Sequence, residues 1–305
     1  MLDLSIVIVS WNTRELVRQC LASIDVAQGQ LTVETFVVDN ASSDGTQEMV
    51  QMEFPGVRLL RNHTNVGFAR ANNSAMRLAS GKYVCLINSD VTVSSGCLQK
   101  LFAFMEQNPS VGMLGPGMLT PGGDLGCSCM RRPTLRISLV QALGLGSVFK
   151  RLSLHIENLK STGAQDVDVL NGWFWMVKRS ALNDVGLLDD RYFMYGEDID
   201  WCHRFWSRNW RVVYLPDARA IHYGGGSSSH APVKYYIEMQ RANIQYWRRY
   251  HSLTSLVAYR SIVLLHQILR LLGYSAVYAI RPVARPEISV KIRRSAASLR
   301  WLFGL

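Results

Sequence analysis

Residues Lys82–Val91 read KYVCLINSDV, and this stretch decides the fold. Tyr83 to Ile87 form an apolar, β-favouring run of the length of a buried strand. The run stops at Asn88, Ser89 and Asp90, three small polar residues where the chain has to leave a sheet. In open parallel α/β sheets, ligands bind outside the carboxyl ends of the strands. A carboxylate there is placed to hold a hard cation such as Mg²⁺, which takes one or two carboxylates together with substrate phosphates. Read alone, the same three residues are an ordinary turn and cap. The neighbouring segments tilt the reading toward a site.

Upstream, Leu4–Val9 (LSIVIV) is a buried strand followed by Ser10-Trp11-Asn12-Thr13. Asn12 or Thr13 can cap a helix over Arg14–Ile24 whose apolar face is Leu16, Val17, Cys20, Leu21 and Ile24. A second strand, Thr32–Val38, ends in another polar cluster, DNASSDGT from Asp39. Asp39 is placed to accept from a base N–H or a ribose hydroxyl, as acids do in dinucleotide sites, whereas Asp44 reads as a helix cap. After a short strand at Val57–Leu60, Asn65-Val66-Gly67-Phe68 opens a helix. Gly67 permits close approach of a ligand to the backbone, and a helix N-terminus favours anions. Downstream come a helix over Ser95–Gln107 and a strand at Val111–Leu114. Strand and helix alternate at regular spacing, which predicts a doubly wound, mostly parallel α/β sheet. No GxGxxG follows the first strand and no Walker A sequence occurs, so neither a dinucleotide fingerprint nor a P-loop accounts for it.

From Gly115 to about Asp166 the periodicity fades into Gly/Pro-rich and basic segments, read as a mobile insertion over the site, with a purely structural excursion as the alternative. Order returns at Val167–Val177, where Trp173 and Trp175, after Gly172, offer either a stacking wall for a sugar or core packing. In YGEDIDWCHR, Glu197, Asp198 and Asp200 crowd a helix start, where acids offset the helix dipole. Asp198 shares a face with Trp201, Cys202 and Phe205 by i+3, i+4 and i+7 spacing. An inward carboxylate is costly without a task, which makes Asp198 a candidate general base. Arg211–Leu215 and Arg219–His222 read as closing strands before the loop GGGSSS. His222 can add an imidazole to a metal held by a carboxylate, and the glycine-rich loop can wrap a diphosphate.

Of the net charge of +10, residues 242–305 carry +9, with ten Lys/Arg and one acid. The preceding 241 residues are nearly neutral and lack the basic stripe that nucleic acid demands. The start has no basic n-region or cleavage site and reads as a first strand rather than a signal peptide. No run of eighteen uncharged apolar residues appears, so a spanning helix is not expected. Leu256–Ile280 is apolar but interrupted by Arg260, His266 and Arg270. It reads as an amphipathic helix lying on an anionic membrane surface, the alternative being a hairpin packed on the domain or, in a homodimer, on a second subunit. The six cysteines sit mostly in apolar runs, as reduced thiols of a cytoplasmic protein do.

Seven segments in this order, SIVIVSWN, VVDNASSDGT, NVGFARANN, LINSDV, NGWFWMVKR, YGEDIDWCHR and HYGGGSS, resemble the inverting family 2 glycosyltransferases of the GT-A fold, in their bacterial rhamnosyltransferase-like branch. The resemblance covers about residues 3–250 and implies a GT-A domain over 1–250, with residues 251–305 as a basic helical extension. It implies that Ser10, Trp11, Asn12, Asp39, Asn65, Gly67, Phe68, Asn88 and Ser89 line the nucleotide-sugar pocket, and that Gly172, Trp173, Trp175 and Glu197 line the acceptor side. It makes Asp198 the general base, with Asp90 and His222 the ligands of Mg²⁺ or Mn²⁺. Asn88 departs from the first acid of the family's DXD motif, and Asn72 stands where many relatives carry Arg. The donor expected is dTDP-rhamnose first and a UDP-sugar second, and the acceptor a saccharide or lipid-linked saccharide in bacterial cell-surface polysaccharide synthesis. The enzyme would then work as a peripheral protein on the inner face of the cell membrane. Two other readings are a sugar nucleotidyltransferase, which would need a glycine-rich basic signature after the first strand, and a non-catalytic basic membrane-binding module.

Overall fold

A computed structural model of the chain describes residues 2–156, 159, 161–224, 231–280 and 285–304. The elements in chain order are β1 (Leu4–Ser10), α1 (Arg14–Ala27), β2 (Val33–Asp39), α2 (Thr46–Glu53), β3 (Arg58–Arg61), α3 (Phe68–Met76), β4 (Tyr83–Asn88), β5 (Val91–Val93), α4 (Cys97–Gln107), β6 (Val111–Leu119) and β7 (Cys129–Met130). They continue with α5 (Leu135–Ala142), β8 (Gln165–Asp166), β9 (Val169–Leu170), β10 (Phe174–Lys178), α6 (Arg179–Val185), α7 (Glu197–Ser207), β11 (Arg211–His222), α8 (Pro232–Tyr250), α9 (Leu253–Ile280) and α10 (Arg285–Leu302).

The chain divides into two units. The first holds the sheet, in the order β3-β2-β1-β4-β10-β6-β11-β5, with β8 beside β11. The strands β3-β2-β1-β4 are parallel, as the alternation predicts. β10 then runs antiparallel to both β4 and β6, so the sheet is mixed beyond β4. The expected strand at Val111–Leu114 continues to Leu119, because β11 pairs with it in parallel along its length. The two expected closing strands are one strand, β11, with a register shift between Leu215 and Arg219. Ile6, Ile8, Cys85 and Ile87 from the strands meet Val17, Leu21 and Ile24 of α1 and Leu98 and Leu101 of α4 in one apolar core. Near-continuous apolar strands are what a sheet covered on both faces requires.

The second unit comprises residues 131–154, 194–196 and 228–305. Here α10 packs along α9 and α8, and α5 packs against α9. Trp247 stacks on Tyr259 at 4.8 Å, and the His266 imidazole lies 3.1 Å from the carbonyl of Ala142. Two boundaries therefore differ from the sequence reading. Residues 115–119 are strand, and α5 and α8 group with the C-terminal helices, so the break does not fall at 250. The reason is α9, whose Leu256, Tyr259 and Val263 are buried along one side and need covering. α9 is also long and apolar enough to cross a membrane by length and composition, contrary to the sequence expectation, because its two arginines are spaced widely along 28 residues.

Candidate active site

Strand register brings Ser10, Asp39, Asn88 and Trp173 to one edge of the sheet. Ser10 is level with Asp39, and Val9 with Asn88, so β1, β2 and β4 end together. Because β10 is reversed, its beginning lies at that same edge: Phe174 is level with Ile87, and the Asn88 N–H donates to the Trp173 carbonyl at 3.0 Å. The chain then turns back into β5, which pairs with the end of β11 so that Val91 faces His222. The Tyr223 N–H donates to the carbonyl of Asp90 at 3.0 Å.

This turn sets the Asp90 carboxylate 3.2 Å from Nε2 of His222, both largely shielded from water. Trp173 stacks on the imidazole, 5.4 Å between centroids and 18° between planes. The two side chains are therefore held against one another, with the imidazole plane set by Trp173. Among the described residues no group of three His, Cys, Asp or Glu side chains surrounds a metal position. A pair of this kind fits Mg²⁺ or Mn²⁺, which fill the rest of their shell with water and substrate phosphate oxygens.

The nucleotide-side residues divide into two groups. Asp39 is fully buried; its Oδ2 accepts from the Ser42 N–H at 3.0 Å and from Gln47 Nε2 at 2.7 Å, while Oδ1 is buried with no hydrogen-bond partner. A bare buried carboxylate oxygen is costly and signals a missing donor. Asn12, at φ +53°, laces the first two loops together: its N–H donates to Ser42 Oγ, and its Oδ1 accepts from the Ser43 N–H. Trp11 beside it is half-buried. The other residues are scaffold. Ser10, Thr13 and Ser89 form a buried chain of hydroxyls, 3.0 and 3.1 Å apart, tying the β1 loop to the β4 loop. Thr13 thus bridges loops and makes no side-chain cap on α1, while Asp44, as expected of a cap, accepts from the N–H groups of Arg14 and Thr46.

Gly67 serves the protein's own backbone. A Cβ there would stand 2.4 Å from the carbonyl oxygen of Phe193, which accepts from the Phe68 N–H at 2.7 Å. The start of α3 is thus occupied by a carbonyl where the sequence suggested an anion. Asn65 accepts from the Gly67 N–H at 3.0 Å, and buried Asn72 donates to the Phe68 carbonyl inside its own helix.

On the opposite side of the reading, α7 buries Glu197 and Asp200, and leaves Asp198 half-buried with Oδ1 accepting from the Ile199 N–H at 2.8 Å. Asp200 is paired with Arg204 at 2.8 Å. Burial, and next the adjacent Asp198 charge, push the Glu197 carboxyl up to about 8, and its Oε2 has no partner. A Cβ at Gly172 would lie 3.6 Å from Glu197 Oε1 and 3.0 Å from the ring of Trp175, so the glycine lets the loop lie against both. Trp175 is fully buried; its Nε1 donates to the Leu170 carbonyl, and its ring packs edge-on against Phe68 and Trp201. It backs the site from the core and offers no face to a sugar. Trp173 is likewise turned away from solvent, onto His222. Sequence reasoning passed over Gln47 and read Thr13 only as a cap; both look like ordinary helix-start residues, and their distant partners, Asp39 and Ser89, come from other loops. The loop Gly225–Ser229, expected to wrap a diphosphate, lies outside the described residues.

The profile of the family described as Glycosyl transferase family 2 matches residues 5–186, more than half the chain and the segment carrying Asp39, Asp90 and Trp173. The chain belongs to glycosyl transferase family 2. Within it, the chain is 29% identical over 246 residues to the N-acetylglucosaminyl-diphospho-decaprenol L-rhamnosyltransferase of Mycobacterium tuberculosis, covering 76% of this chain and 80% of that protein. It is 25% identical to the low-salt glycan biosynthesis hexosyltransferase Agl10 of Haloferax volcanii, over 72% of this chain and 67% of the relative. A mannosyltransferase from Pyrobaculum calidifontis, solved with GDP-Man and Mn²⁺, shares the fold at a TM-score of 0.57 and 18% identity, over the whole of this chain and 90% of that one. Residues 1–349 of TarS from S. aureus share it at 0.52 and 14% identity, over 99% of this chain and 92% of that one. The family 2 transferase thus has the GT-A fold expected of it.

Proposed function

We propose that this family 2 glycosyltransferase moves a sugar, rhamnose first among the candidates, from a nucleoside diphosphate to a hydroxyl of a saccharide or lipid-linked acceptor, with inversion at the anomeric carbon. The observation that carries the reading is the convergence of Asp90 and His222 at the sheet edge that also holds the unpartnered oxygen of Asp39. The sugar and the acceptor class follow the activity of the mycobacterial relative.

In this reading Asp39 takes a donor N–H or O–H of the nucleotide on Oδ1, with Trp11 and Asn12 beside it. Asp90 and His222 would hold Mg²⁺ or Mn²⁺, which when bound supplies positive charge to the diphosphate leaving group. Asp198 removes the proton of the acceptor hydroxyl as that oxygen bonds to the anomeric carbon and the bond to the diphosphate breaks. Glu197, beside it, keeps its proton at neutral pH, so the start of α7 carries one charge fewer than its sequence suggests. The protein would act at the cytoplasmic face of a membrane, where lipid-linked acceptors are held.

A thermal-shift panel of dTDP, UDP and GDP with and without Mn²⁺ tests the donor side, since a cognate ligand raises apparent stability by mass action. One nucleotide is expected to stabilise the wild type more with Mn²⁺ than without, and Asp90→Asn to abolish that increment. Proton NMR of the glycoside formed tests the stereochemistry; retained configuration overturns the mechanism.

A further inference from the structure

The helical unit carries three cations gathered around two tyrosines. Arg270 of α9 lies over the rings of Tyr236 and Tyr274, at 5.7 and 5.2 Å. Arg294 of α10 lies over Tyr236 at 5.9 Å, and Lys291 over Tyr274 at 5.6 Å. Among the described residues no carboxylate comes within 4 Å of any of them. Arg294 is held in place by its Nε, which donates to the Pro232 carbonyl at 3.2 Å, and Tyr236 by Gln267, whose Nε2 donates to the phenol at 2.8 Å. The Nε of Arg270 is buried and has no hydrogen-bond partner, and Oε1 of the fully buried Gln267 has none either. Three like charges held together, one with a bare buried donor, form a site suited to an anion.

What stands next to this cluster identifies the anion's carrier. Beyond Tyr274, α9 continues as Ser275-Ala276-Val277-Tyr278-Ala279-Ile280, and every one of these residues is exposed, Ile280 by 77%. Among the described residues this helix end is exposed, largely apolar and without a charged side chain, a composition not built for water. Six residues rise about 9 Å, close to the depth of ~5–10 Å to which interfacial helices enter a leaflet. Cations and tyrosines one turn behind such an end stand at the level of the phosphates, where both residue types gather at membranes.

We propose that residues 275–280 enter the lipid leaflet and that Arg270, Lys291 and Arg294 bind the phosphates of anionic lipids around them. This places the membrane contact at the tip of α9 and in a defined phosphate site, where the sequence suggested a helix lying flat over 256–280. It deepens the proposed membrane-side function, and its test reads no sugar transfer, so either can fail alone.

The experiment is flotation of the full chain with vesicles of phosphatidylcholine, alone or with phosphatidylglycerol. The triple variant R270Q/K291Q/R294Q is expected to lose roughly a hundredfold in affinity for the anionic vesicles, about fivefold per cation. The equally discharged R248Q/R249Q/R300Q, which neutralises exposed arginines elsewhere, is expected to stay within threefold of wild type. V277D/I280D is expected to abolish binding, whereas R270K/R294K, which keeps the charge, is expected to retain most of it, which separates lost charge from lost fold. An equal loss in both triple variants overturns the site in favour of net charge alone. Absence of vesicle binding together with inorganic phosphate stabilising the wild type but not R270Q/K291Q/R294Q would make it a free-anion site and overturn the lipid assignment. A vesicle-independent dimer abolished by V277D/I280D would assign the α9 tip to a second copy.

Discussion

At Gly67 the backbone holds φ at +88° with the Phe193 carbonyl oxygen 2.4 Å from where a Cβ would stand. Neither the torsion nor the neighbour tolerates a side chain, since the obstacle is backbone and cannot rotate away. Gly67→Ala is therefore expected to cost about 3 kcal/mol of stability, read as a shift of the urea midpoint. Glu197 gives a second test at this scale. Its carboxyl is raised from 4.5 to about 8, so in the folded protein it keeps a proton that the unfolded chain releases above about 4.5. Stability tied to this group is complete below that pH and declines as pH rises toward 8, because the unfolded state then binds fewer protons. Glu197→Gln is expected to flatten that decline in a series of thermal midpoints from pH 4.5 to 8. The choice among the three acids at 197, 198 and 200 was not legible in the sequence. Periodicity gives the spacing of inward positions, but which acid faces in depends on where the helix begins and how it rolls against its neighbours.

Helix α7 is fixed to the end of α6 by polar contacts as well as by packing. Arg204 pairs with the fully buried Asp200 and donates to the Val185 carbonyl at 2.9 Å, while Trp201 Nε1 donates to the Gly186 carbonyl at 2.9 Å. Removing one partner of a buried pair leaves the other charge unsatisfied. Asp200→Ala is expected to destabilise the protein by about 3–5 kcal/mol, measured by chemical denaturation. The parallel strands are legible in the sequence. β1, β2 and β4 were found within a residue or two because runs such as SIVIV and YVCLI admit little else at that length. The reversal of β10 was not visible: its residues, FWMVK, suit either direction, and only pairing with β4 and β6 selects one. That reversal places Trp173 at the site, against His222, instead of at the far end of the sheet.

For the whole molecule, the grouping of α5 and α8 with α9 and α10 makes the C-terminal helices part of a cooperative unit. A chain ending at residue 250 would leave the faces of α5 and α8 that meet α9 and α10 uncovered. Its residues 131–154 are expected to become readily cleaved in limited proteolysis, while the sheet residues keep their protection in hydrogen exchange; equal protection of 131–154 in both forms would contradict the grouping. The concentration of charge in the tail was plain from the sequence, whereas its packing partner in residues 131–154 was not, because that contact joins segments more than a hundred residues apart.

The sequence by itself determined the α/β alternation, the polar ends of the parallel strands at Ser10, Asp39 and Asn88–Asp90, the family, and the basic character of the tail, since all of these are properties of local composition and order. Only the tertiary structure decided which polar residues face an empty position and which face one another. The bare oxygen of Asp39 belongs to the first kind, and the Asp90–His222 pair, the Ser10–Thr13–Ser89 hydroxyl chain, Gly67 and Trp175 to the second. The physical reason is that a side chain's task is set by the partners that strand register and helix roll bring to it, and those partners lie far away along the chain.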